Sequence, residues 1–119
     1  MSKQKYVPRR GDVIRLDFNP QTGHEQAGRR PALVLSPTEY NRTIGLAVVC
    51  PITNQIKAYP WEVTIPDNPF VSGAILADQV KSLDWRQRKA EFVCTPDERL
   101  LNDVVERAIA LLRPDEDDG

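Results

Sequence analysis

The stretch EQAGRRPALVLSP, Glu25 to Pro37, sets two consecutive arginines between a flexible Ala27-Gly28 pair and an apolar run that opens on a proline. Arginine keeps its charge at any working pH and presents a rigid fork of donors that matches a phosphate or a carboxylate. The doublet Arg29-Arg30 is therefore a candidate anion site. Thr53 closes a second apolar run, GLAVVCPIT, where the chain passes into polar residues. Its hydroxyl is a further donor to an anion. Both positions are ends of rigid elements, where a reacting group can be held accurately, and in a small barrel such ends can meet.

Other chemistries lack their parts. One histidine leaves no His-rich metal cluster, and HExxH, GxSxG, GxxxxGK[ST] and GxGxxG do not occur. The acidic residues of the first half are only Asp12, Asp17, Glu25 and Glu39, and the first two suit strand ends better than a paired-carboxylate cleft. Cys50 and Cys94 sit inside apolar stretches without CxxC spacing, which makes them buried core thiols rather than a redox or metal site.

A net charge of -1 conceals an asymmetry. Residues 1–60 hold nine basic and four acidic side chains, a net of +5, whereas residues 61–119 hold seven and thirteen, a net of -6. A basic half on a nearly neutral chain points to a local anion-binding surface rather than a generally sticky polycation. Hydrophobic content of 40% and charged content of 28% suit one globular domain over 1–119. No run approaches the ~18 apolar residues of a membrane span, and MSKQKYVPRRGD lacks the apolar core of a signal peptide, so the expected compartment is the cytoplasm.

The elements that must position these groups follow from periodicity. DVIRLDF (Asp12 to Phe18) alternates with period two and predicts a strand with one face in the core. Asn19 to Arg29 predicts a long exposed loop, while Arg30 to Ser36 and Gly45 to Thr53 are apolar enough for central strands buried on both faces. PTEYNRT between them reads as a loop. Trp61 to Ile65, Ala74 to Ser82 and Ala90 to Cys94 complete about six strands, with DWRQR as a polar turn. Thr95-Pro96-Asp97-Glu98 then offers a capping box with Thr95 as N-cap. Leu100, Leu101, Val104, Val105, Ala108, Ile109 and Leu112 recur at helical spacing until Pro114, before the acidic tail of residues 113–119. The prediction is a small antiparallel barrel closed by one amphipathic helix.

The blocks GDVIRLDFNPQTGHEQAGRRPALVLSP, VCPITNQIKAYPWEV and LADQVKSLDWRQRKAE are similar to those of the MazF/PemK toxins, sequence-specific endoribonucleases of bacterial toxin-antitoxin systems. The blocks keep the family's order and spacing from Gly11 to the C-terminal helix. The resemblance implies a mainly β, SH3-like antiparallel barrel of the MazF/PemK/CcdB type with a C-terminal helix, working as a homodimer on single-stranded RNA. It implies that Arg30 is catalytic with Thr53 as partner, and that Glu25, Gln26 and Gln79 contact RNA or shape the site. It further implies attack of the RNA 2′-hydroxyl on the neighbouring phosphorus without metal or cofactor, and a cognate acidic, MazE-like antitoxin that blocks the site.

Arg29 is then expected to grip a neighbouring phosphate. Bases would be stacked and read at their edges by Phe18, Gln26, Asn41, Gln55, Tyr59 and Gln79, with Lys57 and Lys81 on phosphates. Trp61 and Trp85 read better as core or dimer packing. His24 is the one side chain whose unperturbed titration lies near neutrality; the family does not require a histidine there, and it reads as an exposed loop residue. The rival function is that of the CcdB toxins, which share this barrel and poison DNA gyrase through a tryptophan-containing C-terminus; this chain ends LLRPDEDDG.

Overall fold

The computed structural model describes residues 6–18 and 28–114. Its centre is three neighbouring antiparallel strands, β1 (Val13–Asp17), β2 (Arg29–Val34) and β3 (Ala47–Thr53). Successive side chains of a strand leave opposite faces, so nearly continuous apolar runs feed two cores at once. Val13, Leu33 and Cys50 enter one core, and Ile14, Ala32 and Val49 enter the other. The runs predicted to be buried on both faces are so buried.

Four shorter strands extend this centre. β4 (Glu62–Thr64) pairs with β5 (Ala74–Leu76), which pairs with the end of β3 through Ile52 and Thr53. β6 (Lys81–Leu83) pairs with the beginning of β3, and β7 (Glu91–Cys94) pairs with β1. The order is β4-β5-β3-β2-β1-β7, with β6 as a second partner of β3. The architecture is mainly β and antiparallel, as predicted. It is barrel-like without hydrogen-bonded closure, because β4 and β7 lie at opposite ends of the order.

Two helices complete the described residues. In α2 (Glu98–Leu112), Leu100, Val104 and Ala108 recur every four residues on one buried stripe, and the first two pack into the core of Val13 and Leu33. Trp85 fills the other core and donates from Nε1 to the carbonyl of Asn41 at 3.0 Å, so its assignment to packing holds. Cys50 and Cys94 are buried free thiols. No helix among the described residues is long and apolar enough to cross a membrane.

The structure corrects three local expectations. The segment read as a loop, PTEYNRT, contains a short helix, α1 (Thr38–Ile44), capped by Gly45 at φ 83. Its inward contact is the polar Asn41, which leaves no apolar period to detect. The predicted strand Ala74 to Ser82 is two strands, parted by a turn in which Ala77 N–H bonds Trp61 C=O and Gln79 N–H bonds Leu76 C=O. The turn moves the chain from one end of β3 to the other. Finally, Asp97 caps α2 by accepting from Arg99 N–H, while the Thr95 hydroxyl is drawn to the buried Asp12 at 2.9 Å. Asp12 also accepts from the Tyr6 hydroxyl at 2.5 Å and from Arg9 N–H at 3.1 Å, tying the start of the chain to the start of α2.

Candidate active site

Thr53 ends β3 just where that strand changes from β2 and β6 to β5. Beyond it the chain must leave the sheet, and residues 54–61 form a polar loop that returns through β4. Together with the β5–β6 turn, this loop walls a cleft of about 490 Å³. Thr53, Gln55, Lys57, Tyr59 and Gln79, all singled out from sequence, line that one cleft. Leu76, Glu62 and Asp78 also line it and were not anticipated.

Arg30 approaches along β2. Pairs Ala32–Pro51, Leu33–Cys50 and Val34–Val49 fix the β2/β3 register, which, continued two residues past its last pair, sets Arg30 across from Thr53. Directly opposed residues project to the same face, so the guanidinium and the hydroxyl share one side of the sheet. Arg30 is half-buried, and Lys81 stands on that side too, opposite Val49 on β6. That β2/β3 register sets the two strand ends side by side.

Several details prepare the cleft for an anion. Thr53 is 5% exposed, and its Oγ1 accepts from Gln55 N–H at 3.1 Å. That bond uses a lone pair and leaves the O–H proton for a ligand oxygen. The two carboxylates in the cleft are already engaged. Glu62 accepts from Lys57 N–H and Ala58 N–H, and Asp78 accepts from the Tyr59 hydroxyl at 2.7 Å. Burial and then the Asp78 bond push the Tyr59 phenol above its ordinary range, so it stays a neutral donor. Beneath the site, burial pushes the Cys50 thiol up to about 12, which removes it as a nucleophile. The Gln79 side-chain oxygen is buried with no hydrogen-bond partner among the described residues.

Gly73 is a further requirement that sequence reasoning missed. At φ 109 it lies so close to β3 that a β-carbon would stand 2.1 Å from the Thr53 carbonyl oxygen. Only glycine lets β5 reach Thr53. The glycine contact has no local signal, since its partner lies twenty residues away in the chain, and the Glu62 clamp on the Lys57 and Ala58 amides follows no residue pattern.

Three of the sequence candidates do other work. Phe18 is 1% exposed within the Trp85 core, so its ring is closed to bases. Asn41 is fully buried: it accepts from the Ser36 hydroxyl at 2.5 Å and donates to Pro8 C=O at 2.8 Å. It fastens α1 and cannot read RNA. Arg29 is on the opposite face from Arg30 by strand alternation. Its guanidinium bonds Asp17 at 3.1 Å, Glu91 at 3.0 Å and Lys89 C=O at 2.6 Å, so its donors hold β1 and β2 to β7 rather than a phosphate beside Arg30. His24, Glu25, Gln26 and the acidic tail from residue 115 lie outside the described residues. Among the described residues no three His, Cys, Asp or Glu side chains gather to hold a metal ion.

The chain has counterparts among known proteins. A model of the PemK-like, MazF-like toxins of type II toxin-antitoxin systems matches residues 9–112. The chain is 51% identical over 86 residues to the endoribonuclease toxin MazF of Escherichia coli, covering 72% of this chain and 77% of that one. It is 35% identical over 109 residues to the endoribonuclease toxin ChpB of the same organism, covering 87% and 90%. In three dimensions it superposes on a crystal structure of MazF from Deinococcus radiodurans with a TM-score of 0.87 at 50% identity, over 91% of this chain and 98% of that one. A MazE-MazF crystal structure (Form-II) from that organism matches with a TM-score of 0.82 at 50% identity, over 91% and 97%.

Proposed function

We infer the chemistry of the cleft from one premise: the chain belongs to the PemK-like, MazF-like toxin family of type II toxin-antitoxin systems. It is an endoribonuclease toxin of that family. The observation that carries its catalytic assignment is the convergence of Thr53, Gln55, Lys57, Tyr59 and Gln79 on one cleft beside the strand end that bears Arg30. The CcdB-like gyrase reading is not favoured, because the relatives at 51% and 35% identity are endoribonucleases.

In the proposed reaction the RNA 2′-hydroxyl loses its proton to solvent and attacks the adjacent phosphorus. The bond to the 5′-oxygen breaks, that oxygen takes a proton, and the products are a cyclic phosphate and a 5′-hydroxyl end. Negative charge gathers on the non-bridging oxygens as the new bond forms. The Arg30 fork and the Thr53 hydroxyl are donors suited to hold it, so the residues supply electrostatic stabilisation of the transition state without calling on a metal. Lys57 and Lys81 would contact flanking phosphates, which gives affinity without sequence reading. Gln55, Tyr59 and Gln79 would read unpaired bases. Glu25 and Gln26, outside the described residues, are proposed as further RNA contacts on the strength of the family pattern.

The same basic site would accept a disordered acidic antitoxin segment. The MazE-MazF crystal structure is of such a toxin with its partner. We place the protein in the cytoplasm as a homodimer on the strength of its membership of the toxin family. The test is incubation of the purified protein with a long unstructured RNA and mapping of every cut. Cleavage at one short recurring word supports the reading. Uncut RNA beside inhibited gyrase supercoiling would replace it with the CcdB-like activity.

A further inference from the structure

Glu62 stands on β4 opposite Leu76 of β5, with its carboxylate in the cleft. A negative group beside an RNA strand needs a reason to be there. Its two oxygens supply one: Oε2 accepts from Lys57 N–H at 2.9 Å and Oε1 accepts from Ala58 N–H at 2.7 Å. Ala58 has φ 58, a left-handed conformation that a residue with a β-carbon disfavours. The carboxylate thus fixes the part of the loop whose backbone is least content to stay. Neighbouring ties act in the same direction, with Tyr59 bonded to Asp78 at 2.7 Å and Arg107 of α2 bonded to the Pro60 carbonyl.

We propose that Glu62 is a positioning residue for RNA binding: it clamps the Lys57 and Ala58 amides and so holds Gln55, Lys57 and Tyr59 at a fixed distance from Gln79. The proposal rests on the endoribonuclease reading above. Gln79 lines the opposite wall of the cleft, and its side-chain oxygen is buried with no hydrogen-bond partner among the described residues. A nucleobase seated between the walls is held from both sides, with the Gln79 side chain turning outward to meet an amino or imino N–H, only if the loop wall does not drift. Each oxygen of Glu62 already accepts one backbone N–H, so the carboxylate is committed to the loop. Its effect falls on binding and not on the chemical step.

The isosteric change Glu62→Gln tests this, because an amide has one acceptor oxygen and its NH₂ cannot accept the second N–H. On an RNA oligonucleotide carrying the mapped cleavage word, KM is expected to rise about tenfold with kcat within about twofold, the pattern of lost uniform binding. Hydrogen exchange at the Lys57 and Ala58 amides should quicken in the free protein. Adding Ala58→Gly, which removes the β-carbon penalty at φ 58, should recover part of the KM. A wild type that cuts RNA beside a Glu62→Gln variant with unchanged KM, or with kcat reduced well beyond twofold, overturns the proposal. Unchanged amide exchange also overturns it. A wild type that leaves RNA intact overturns the endoribonuclease reading instead, and the exchange comparison still decides whether the clamp exists.

Discussion

Replacing Gly73 with alanine puts the junction of β5 with Thr53 under direct load. The added β-carbon would lie 2.1 Å from the Thr53 carbonyl oxygen and 2.9 Å from the Asn54 side-chain oxygen. Ordinary contact lies near 3.5 Å, so β5 must retreat by more than about 1 Å. The retreat strains the Thr53–Ala74 and Ile52–Ile75 pairs. The backbone at φ 109 adds a further conformational cost, and together the two effects amount to about 3–5 kcal/mol. At roughly 4 °C per kcal/mol for a domain of this size, the melting temperature should fall by more than about 10 °C. Below that temperature the folded variant should cleave RNA on the order of 100-fold more slowly, because a 1 Å displacement of a positioned group costs about that much. Calorimetry and single-turnover cleavage at 20 °C measure the two effects. Wild-type stability together with a wild-type rate would refute the claim that this contact positions Thr53.

Two further outcomes follow from groups away from the cleft. Asp12→Ala strips acceptors from the Tyr6 hydroxyl, the Thr95 hydroxyl and Arg9 N–H, and should cost about 3 kcal/mol, read as a fall of roughly 10 °C in melting temperature. The buried Cys50 thiol is pushed up from its ordinary 9 to about 12, so between those values the unfolded chain has lost a proton that the folded one keeps. Stability associated with Cys50 is therefore fully present below about pH 9 and declines by up to about 1.4 kcal/mol per pH unit above it. Cys94, Tyr6 and Tyr59 are shifted upward as well and act with the same sign. Urea unfolding at pH 8 and pH 10.5 should show this decline, with a shallower slope in Cys50→Ala.

Much of the fold and part of the site could be read in the residues. Runs such as RPALVLS and GLAVVCPIT declare central strands, because only a strand buried on both faces tolerates so little polarity. Their ends carry Arg30 and Thr53, and the β2/β3 register, continued two residues, sets these on one face of the sheet. The polar loop after Thr53 carries Gln55, Lys57 and Tyr59, side chains able to read or grip RNA, and the structure sets all three in one cleft. Phe18 and Asn41 were misread because residue type does not report burial; an aromatic ring and an amide serve a core or a helix anchor as readily as a base. Arg29 was misread because adjacent residues of a strand face opposite ways. Gly73 stayed hidden because it acts on the Thr53 backbone, brought near only by folding, and Glu62 because a carboxylate that binds main-chain amides needs no particular residue types as partners.

The most direct test of the account compares wild type and Arg30→Ala on an unstructured RNA in excess EDTA, with the ends of every product identified. Wild type should cut at one short word and leave cyclic phosphate and 5′-hydroxyl ends. Arg30→Ala, folded and with an unchanged melting temperature, should lose at least about 100-fold in rate, the scale set by removing one transition-state donor. Cleavage that vanishes in EDTA, products with 5′-phosphate ends, or a fully active Arg30→Ala would contradict it.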